Sequence, residues 1–554
     1  MRKFWAFLSL ALLVACSTSE REALKAYRSA FAAGDFTEAK ALLAKAKLAE
    51  RPESRLLYLM EEGRLAYALE DFSSAARLFT EAIELSEAQY TKSVTREGSK
   101  WLLNDTSGEF FGAPFERSWL FYHQALAFWR LSQSPGLSSE ESRRNLYSAR
   151  AALVAWDSFF QEWQRASEGK SLYQHDLAAK LVAADVHQAT GIRTDLAIAQ
   201  QLNKDAWKIF RRLSPAYASF NQKAASYALE AQEALLGKKD FGSSKELELT
   251  PVALQTRRLI LGRIARGAKS SAPNWSNLAR ELGGVEAEEL KKLADEKAST
   301  LTVLVEGGVI APREVKEIDL GIKGLASLSK DPKTQAQIAQ VGSEVLGLFA
   351  TNVLGLTPKR PSQVSGYVAS RSLMTVAAHE AAIAFEIPVL APAGGIPELL
   401  LVVRNESGAE VHRSALVLAS ALEDQARLAL EEESGQRIVR TGVRVVMKHV
   451  TAILAAMAIH KNLSKGEKDN MFAKLAAVGS YVAATKGIAY SERADTRAWQ
   501  TLPQALLLGE ASLPAGKYTL ELSRASDSDR PGRSLGQVQL GPERAVFAAL
   551  LPQL

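Results

Sequence analysis

Residues 34–46 read GDFTEAKALLAKA, and residues 70–82 read EDFSSAARLFTEA. The two stretches align at an offset of 36. Each opens its conserved core with Asp-Phe. Each then places an Ala, a large apolar residue four positions on, and a second Ala three further: Ala39, Leu43, Ala46 and Ala75, Phe79, Ala82. Steps of four and three put each triplet on one helical face. Small residues allow two helices to approach closely, and the large one between them fills the groove of a neighbour. Asp35 and Asp71 precede these helices, where an Asx side chain accepts from free backbone amides. Gly63 lies twelve residues before Ala75, on the helix expected to pair with it.

This pattern resembles the second helix of a tetratricopeptide repeat, whose period is 34. A generic antiparallel helical hairpin is the plainer reading of the same residues. Outward from the two copies, residues 20–236 are rich in Ala, Leu, Glu, Lys and Arg, which are strong helix formers. Phe115, Trp119, Tyr122, Leu126 and Trp129 fall at spacings of 4, 3, 4 and 3. That is an aromatic stripe of the kind that builds a core. Further helices are expected over 141–160 and, in two pieces divided near Gly191, over 177–213. A stack of such pairs offers a concave surface for a peptide or protein.

The pattern changes after the polar break GKKDFGSS at 237–244. A basic helical patch at 257–266 and a helix at 285–297 make 237–299 a helical linker region. From 300 onward strands appear: LTVLV at 301–305, short pieces at Val309 and 317–320, then 398–403 paired with 409–418 across the turn Asn405-Glu406-Ser407-Gly408. Strands at 517–522, 536–540 and 545–551 close the chain. Between them lie helices expected over 333–385, 420–432 and 436–461. The predicted class is α+β: a helical-repeat domain over 16–236, then a mixed antiparallel α+β domain with a helical insertion over 300–554.

The first fifteen residues are read as a leader. Arg2 and Lys3 precede an apolar run, Phe4 to Val14, broken only by Ser9. That run is shorter than the roughly 20 apolar residues a spanning helix needs, and the order fits a secretory signal. It ends Leu13-Val14-Ala15-Cys16, which resembles the lipobox of bacterial lipoproteins. In such signals the Cys16 sulfur receives a diacylglyceryl group and becomes the first mature residue. Each buried methylene then adds about 0.8 kcal/mol of membrane affinity. Cys16 is the only cysteine in 554 residues, so no intrachain disulfide is possible. Ser17, in place of Asp, resembles the sorting pattern that sends lipoproteins of enteric bacteria to the outer membrane.

The chain is 47% apolar and 23% charged, as globular proteins are. Its net charge of +6 falls to +4 when Arg2 and Lys3 leave with the leader. That mild excess does not point to nucleic acid. Catalytic patterns are sparse. His379-Glu380 lacks the second histidine of a zinc protease. Ser327-Leu328-Ser329-Lys330 matches S-x-x-K, but neither S-D-N nor K-T-G follows. No cofactor and no metal site is expected. Val450 to Ile459 is continuously apolar but only ten residues long, which suits a buried helix.

Two groups remain as candidate sites. Arg437, Arg440, Arg444 and Lys448 step by 3, 4 and 4, so they share a helical face. They form either a solvated stripe answered by acids such as Glu431 to Glu433, or a site for an acidic partner. In ADTRAWQTLP (494–503), Asp495, Arg497 and Trp499 alternate onto one side of an extended chain. They make either a packed corner between helix and strand or a binding site.

Together with Phe115-Glu116-Arg117, Ser142-Arg143-Arg144, VEGGVIAPREVKEIDL (305–320) and LPAG (513–516), the basic run and ADTRAWQTLP resemble an uncharacterised family of bacterial lipoproteins. Members have a tetratricopeptide-like N-terminal half and an ADTRxWxxLP motif. The layout is similar to that of envelope-assembly lipoproteins, including outer-membrane activators of peptidoglycan synthases. The expectation is therefore a non-enzymatic scaffold, held at the periplasmic face of the outer membrane through Cys16, that captures an envelope protein. The alternatives are a hydrolase or transferase acting on cell-wall polymer, and a lipid or glycan carrier using the apolar stretches near 340–356 and 450–459.

Overall fold

A computed structural model describes residues 22–95, 109–167, 171, 173–212, 215–220, 249–269, 271–320, 383–392, 394–464, 471–491, 494–527, 532–541 and 544–553. The leader with Cys16, the break at 237–244, S-x-x-K at 327–330, His379-Glu380 and nearly all of the helical expectation over 333–385 lie outside these residues.

The chain is mixed α+β, with helices in the N-terminal half and sheets in the C-terminal half. Helix α1 covers 22–32. It is followed by α2 (Phe36–Lys45), α3 (Arg55–Ala68), α4 (Phe72–Thr95), α5 (Pro114–Ser132), α6 (Ser139–Ala166), α7 (Leu177–Ala189) and α8 (Arg193–Arg212). The two aligned stretches fold alike. Asp35 accepts from Glu38 N at 2.9 Å, and Asp71 accepts from Ser74 N at 3.0 Å. Gly34 and Glu70 both take left-handed backbone, with φ of 77° and 63°. Glycine does this freely, whereas Glu70 does so against its side chain. Both triplets are buried. A Cβ on Gly63 would lie 2.8 Å from the Phe79 ring, so the absent side chain is what lets α3 and α4 approach. The aromatic stripe of α5 is buried throughout, with Trp119 edge-on to Trp156 of α6.

Within the expected linker region, α9 (Pro251–Lys269), α10 (Trp275–Leu282) and α11 (Ala287–Ala294) pack on one another and on α8. The strands follow: β1 (Leu301–Gly307), β2 (Arg313–Leu320), β3 (Ile383–Leu390), β4 (Leu399–Asn405), β5 (Glu410–Ala415), β6 (Val417–Ala421), β7 (Ala505–Ala511), β8 (Gly516–Arg524), β9 (Arg533–Leu540) and β10 (Ala545–Leu551). Between β6 and β7 run α12 (Leu422–Ser464) and α13 (Met471–Ser491). One sheet has the order β10-β1-β7-β6, the other β5-β4-β8-β9, and β2-β3 form a separate ribbon. The two four-stranded sheets meet at Gly509, where a Cβ would stand 3.0 Å from Leu401 of the facing sheet.

Several expectations need correction. The sheet is not wholly antiparallel, since β1 and β10 pair in parallel from Leu301↔Ala545 to Gly307↔Leu551. Strands this far apart in sequence are not bound by hairpin geometry. The single strand expected over 409–418 is two strands, β5 and β6, in different sheets, with Leu416 at the crossing. Val309 belongs to no strand; Ile310 N donates to Leu502 O instead. Residues 383–385, expected as helix, begin β3, where Ile383, Phe385, Ile387 and Val389 alternate along a paired strand. The two helices expected over 420–461 are one, because Ser434-Gly435 does not break α12. A glycine inside a helix costs only about 1 kcal/mol.

Candidate functional site

The helices and the sheets meet along a buried polar seam, and a cleft of about 460 Å³ opens at one end of it. Its walls come from α1 (Lys25, Arg28), the turn before α3 (Arg51, Glu53), β2 (Arg313) and the ADTRAWQ stretch (Asp495, Arg497, Gln500). Asp495 and Arg497 form a two-pronged ion pair, with bonds of 2.9 and 2.8 Å. Arg497 Nη1 donates across to Glu53 O at 3.2 Å, and its guanidinium lies over the Phe110 ring. Arg313 Nη1 donates to Arg497 O at 3.2 Å. Arg28 Nη2 donates to Ile310 O at 2.7 Å, while its buried Nε has no hydrogen-bond partner. Burial lowers the Arg28 pKa.

Behind the cleft, the remainder of the motif docks onto the helical layer. Trp499 is fully buried against His123 and Phe79. Its backbone N donates to Glu116 Oε1 at 2.7 Å. Glu61 of α3 accepts from Thr501 Oγ1 at 2.6 Å, from Tyr27 OH at 3.1 Å and from Gln500 N. Despite these three donors, desolvation pushes the Glu61 carboxyl up to about 7. Arg64 donates from Nε to Thr501 O at 3.1 Å and pairs with Glu306 at the end of β1. Burial raises Glu306 and, with Arg64 nearby, lowers His123 well below its usual range, so the imidazole is neutral.

A second ionic network joins the two halves through α7, α9 and the first sheet. Arg263 Nη2 donates to Asp185 Oδ2 at 3.0 Å, and its Nε donates to Glu510 Oε1 at 2.9 Å. Arg544 reaches Asp185 at 2.9 Å and Glu510 at 2.8 Å, and Arg266 reaches Glu510 at 3.1 Å. Although desolvation pushes Glu510 up, the three guanidiniums outweigh it and hold the carboxyl down at about 2.

Of the residues singled out by sequence, Asp495, Arg497 and Trp499 come together here: the ion pair lines the cleft and the indole is core. Arg437, Arg440, Arg444 and Lys448 fall on α12. The side chains of the three arginines lie outside the described residues. Lys448 is half-buried and engaged in an interaction. Sequence reasoning missed Glu61 and Arg64, and quoted Glu116 and Glu306 only within phrases of the family resemblance, with no role for either. Their signal was present: charged residues standing inside apolar runs, as in LLYLMEEGRLAYAL and LTVLVEGG. Such residues need partners when both sides of their element are covered. Among the described residues no group of His, Cys, Asp and Glu could hold a metal ion, and no helix is long and apolar enough to cross a membrane. No family model, curated protein or solved structure matches the chain.

Proposed function

We propose that this chain is a lipid-anchored scaffold of the bacterial envelope, tethered by Cys16 at the periplasmic face of the outer membrane, and that the junction cleft captures a segment of another envelope protein. The observation that carries the reading is the make-up of the cleft. Arg497, paired with Asp495 on its own stretch, donates across to the Glu53 carbonyl before α3, and the exposed Lys25 of α1 lines the cleft beside Arg28. That is a preorganised binding surface. The cleft also lies near the anchor. Five residues stand between Cys16 and Glu22, which lines the cleft, a reach of at most about 22 Å.

The helical half is read as tetratricopeptide-like. In support stand the matching turns at Gly34-Asp35 and Glu70-Asp71 and the Gly63–Phe79 approach. The Arg437, Arg440, Arg444 and Lys448 stripe is kept as a second point of partner capture. A competing reading, a hydrolase or transferase on cell-wall polymer, draws on Glu61, whose carboxyl titrates near neutrality one peptide behind the cleft wall. Glu61 is fully buried and bonded to three donors, so it positions the 500–501 backbone rather than reaching a substrate.

The test is a photo-crosslinking residue at Lys25 in intact envelopes, with one at Val411 on β5 as the control. A discrete adduct with an envelope protein from position 25 alone supports the reading. No adduct, or the same adducts from both positions, would overturn it.

A further inference from the structure

Where β2 borders the cleft, it does so with an open strand edge. In an antiparallel ladder, successive residues turn their N–H and C=O alternately toward the partner strand and away from it. Ala391 N donates to Pro312 O at 3.0 Å, and the register continues with Arg313 opposite Leu390. Pro312, Glu314 and Lys316 therefore bond toward β3, while Arg313 and Val315 turn their backbone groups outward. Pro388 agrees with this phase, because it stands opposite Val315, where β3 needs no N–H for the ladder. Among the described residues, nothing bonds the backbone N–H or C=O of Arg313 or Val315. Both residues line the cleft, together with Pro312 and Glu314. The ribbon is fixed elsewhere: Arg313 Nη1 holds Arg497 O, Glu386 of β3 accepts from Ala494 N at 3.0 Å, and β3 packs against α12. Two strands fall short of the three that normally make a sheet stable in water.

We propose that the cleft takes its occupant as a β-strand: an extended segment of the envelope partner pairs with the outer edge of β2. The segment exchanges main-chain hydrogen bonds with Arg313 and Val315 and completes a three-stranded sheet. Building on the capture proposed above, the pairing adds the conformation in which the segment is held. The edge is recessed, since Lys25 and Arg28 of α1 and Asp495 and Arg497 wall the same cleft. A recessed edge admits one extended chain and keeps a folded sheet out. A second copy offering its own β2 fits less well, because an isologous strand pair would drive these walls against each other. The exposed charges of Glu314 and Lys316 beside the edge are a further guard against unselective pairing.

Photo-crosslinking residues at Glu314 and at Lys316, in intact envelopes, test this beside the one at Lys25. Opposite a paired strand, the adducts from 314 and 316 should map by mass spectrometry to residues two apart in one segment of one partner. Val315→Pro removes an outward N–H that no bond within the ribbon uses. It should lower the adduct from position 25 about tenfold, with melting unchanged. An adduct that persists in a variant melting like the wild type overturns the proposal; if melting falls, the spacing of the 314 and 316 adducts decides. Adducts three or four residues apart, as on a helix, or scattered over unrelated segments overturn it. So do adducts with a second copy or with residues 17–21 of the same chain. An adduct from 25 with none from 314 and 316 removes the strand and leaves capture standing, whereas no adduct from any of the three removes both.

Discussion

Glu61 and Glu510 are both carboxylates at the junction of helices and sheets, yet their surroundings drive them in opposite directions. Glu510 faces three arginines and is held down at about 2. Glu61 has only neutral donors in hydrogen-bonding reach, with Glu116 adding repulsion, and rises to about 7. The network around Glu510 ties α7, α9 and the first sheet with charge on both sides. The one around Glu61 ties α1, α3 and the 500–501 backbone with a buried acid that lacks a direct cation. The lesson concerns placement. The firm network lies away from the cleft, and the one that responds near neutral pH forms the cleft's back wall.

The comparison breaks first at Arg64. Arg64→Ala leaves Glu306 buried without its cation and should cost about 3–5 kcal/mol in denaturant unfolding. Arg544→Ala should cost less, about 1–3 kcal/mol, because Arg263 still reaches both Asp185 and Glu510. Equal losses would mean that the two networks are not different in kind.

The pH response sharpens the contrast. A folded pKa near 7 lies above the usual 4.5, so Glu61 binds its proton more tightly in the folded chain. Its contribution is complete below about pH 4.5 and is lost as pH rises through about 7, an effect on the order of 3 kcal/mol. Glu510, depressed to about 2, contributes above 4.5 and loses that contribution as pH falls through about 2. Buried His123, held neutral in the fold, pulls the other way, so the readout is the difference between wild type and Glu61→Gln: that difference in unfolding free energy should fall from pH 5 to 8. A difference that stays constant across the range would contradict the assignment.

Sequence periodicity disclosed the helical half well, because amphipathic stripes and caps are local. The Asp35 and Asp71 turns, the α5 aromatic face and the division near Gly191 were all legible that way. The sheets were less so. β7 (ALLLGEA) and α13 are apolar on both sides, which leaves no alternation to read, and the β1–β10 pairing spans more than two hundred residues. The Asp495–Arg497–Trp499 group could be named from the sequence. Its counterparts Glu53 and Glu61 could not, and Glu116 was legible only as part of Phe115-Glu116-Arg117, because they are distant in the chain and meet only through the fold.

Smaller effects test the matching hairpins. Gly63→Ala drives a methyl into the Phe79 ring and should cost about 1–3 kcal/mol, with Phe79→Leu restoring part of the loss. Asp35→Ala and Asp71→Ala each remove an N-cap and should cost about 1 kcal/mol apiece. Unequal costs at these two caps would argue that the turns are alike in shape only.

The scaffold reading depends on where the chain is held, and the first residue of the mature protein reports this most directly. Intact mass and amino-terminal peptide analysis of protein taken from envelopes should find Cys16 leading the chain with acyl chains on its sulfur. A bare Cys16, or a polypeptide still beginning at Met1, would contradict the account.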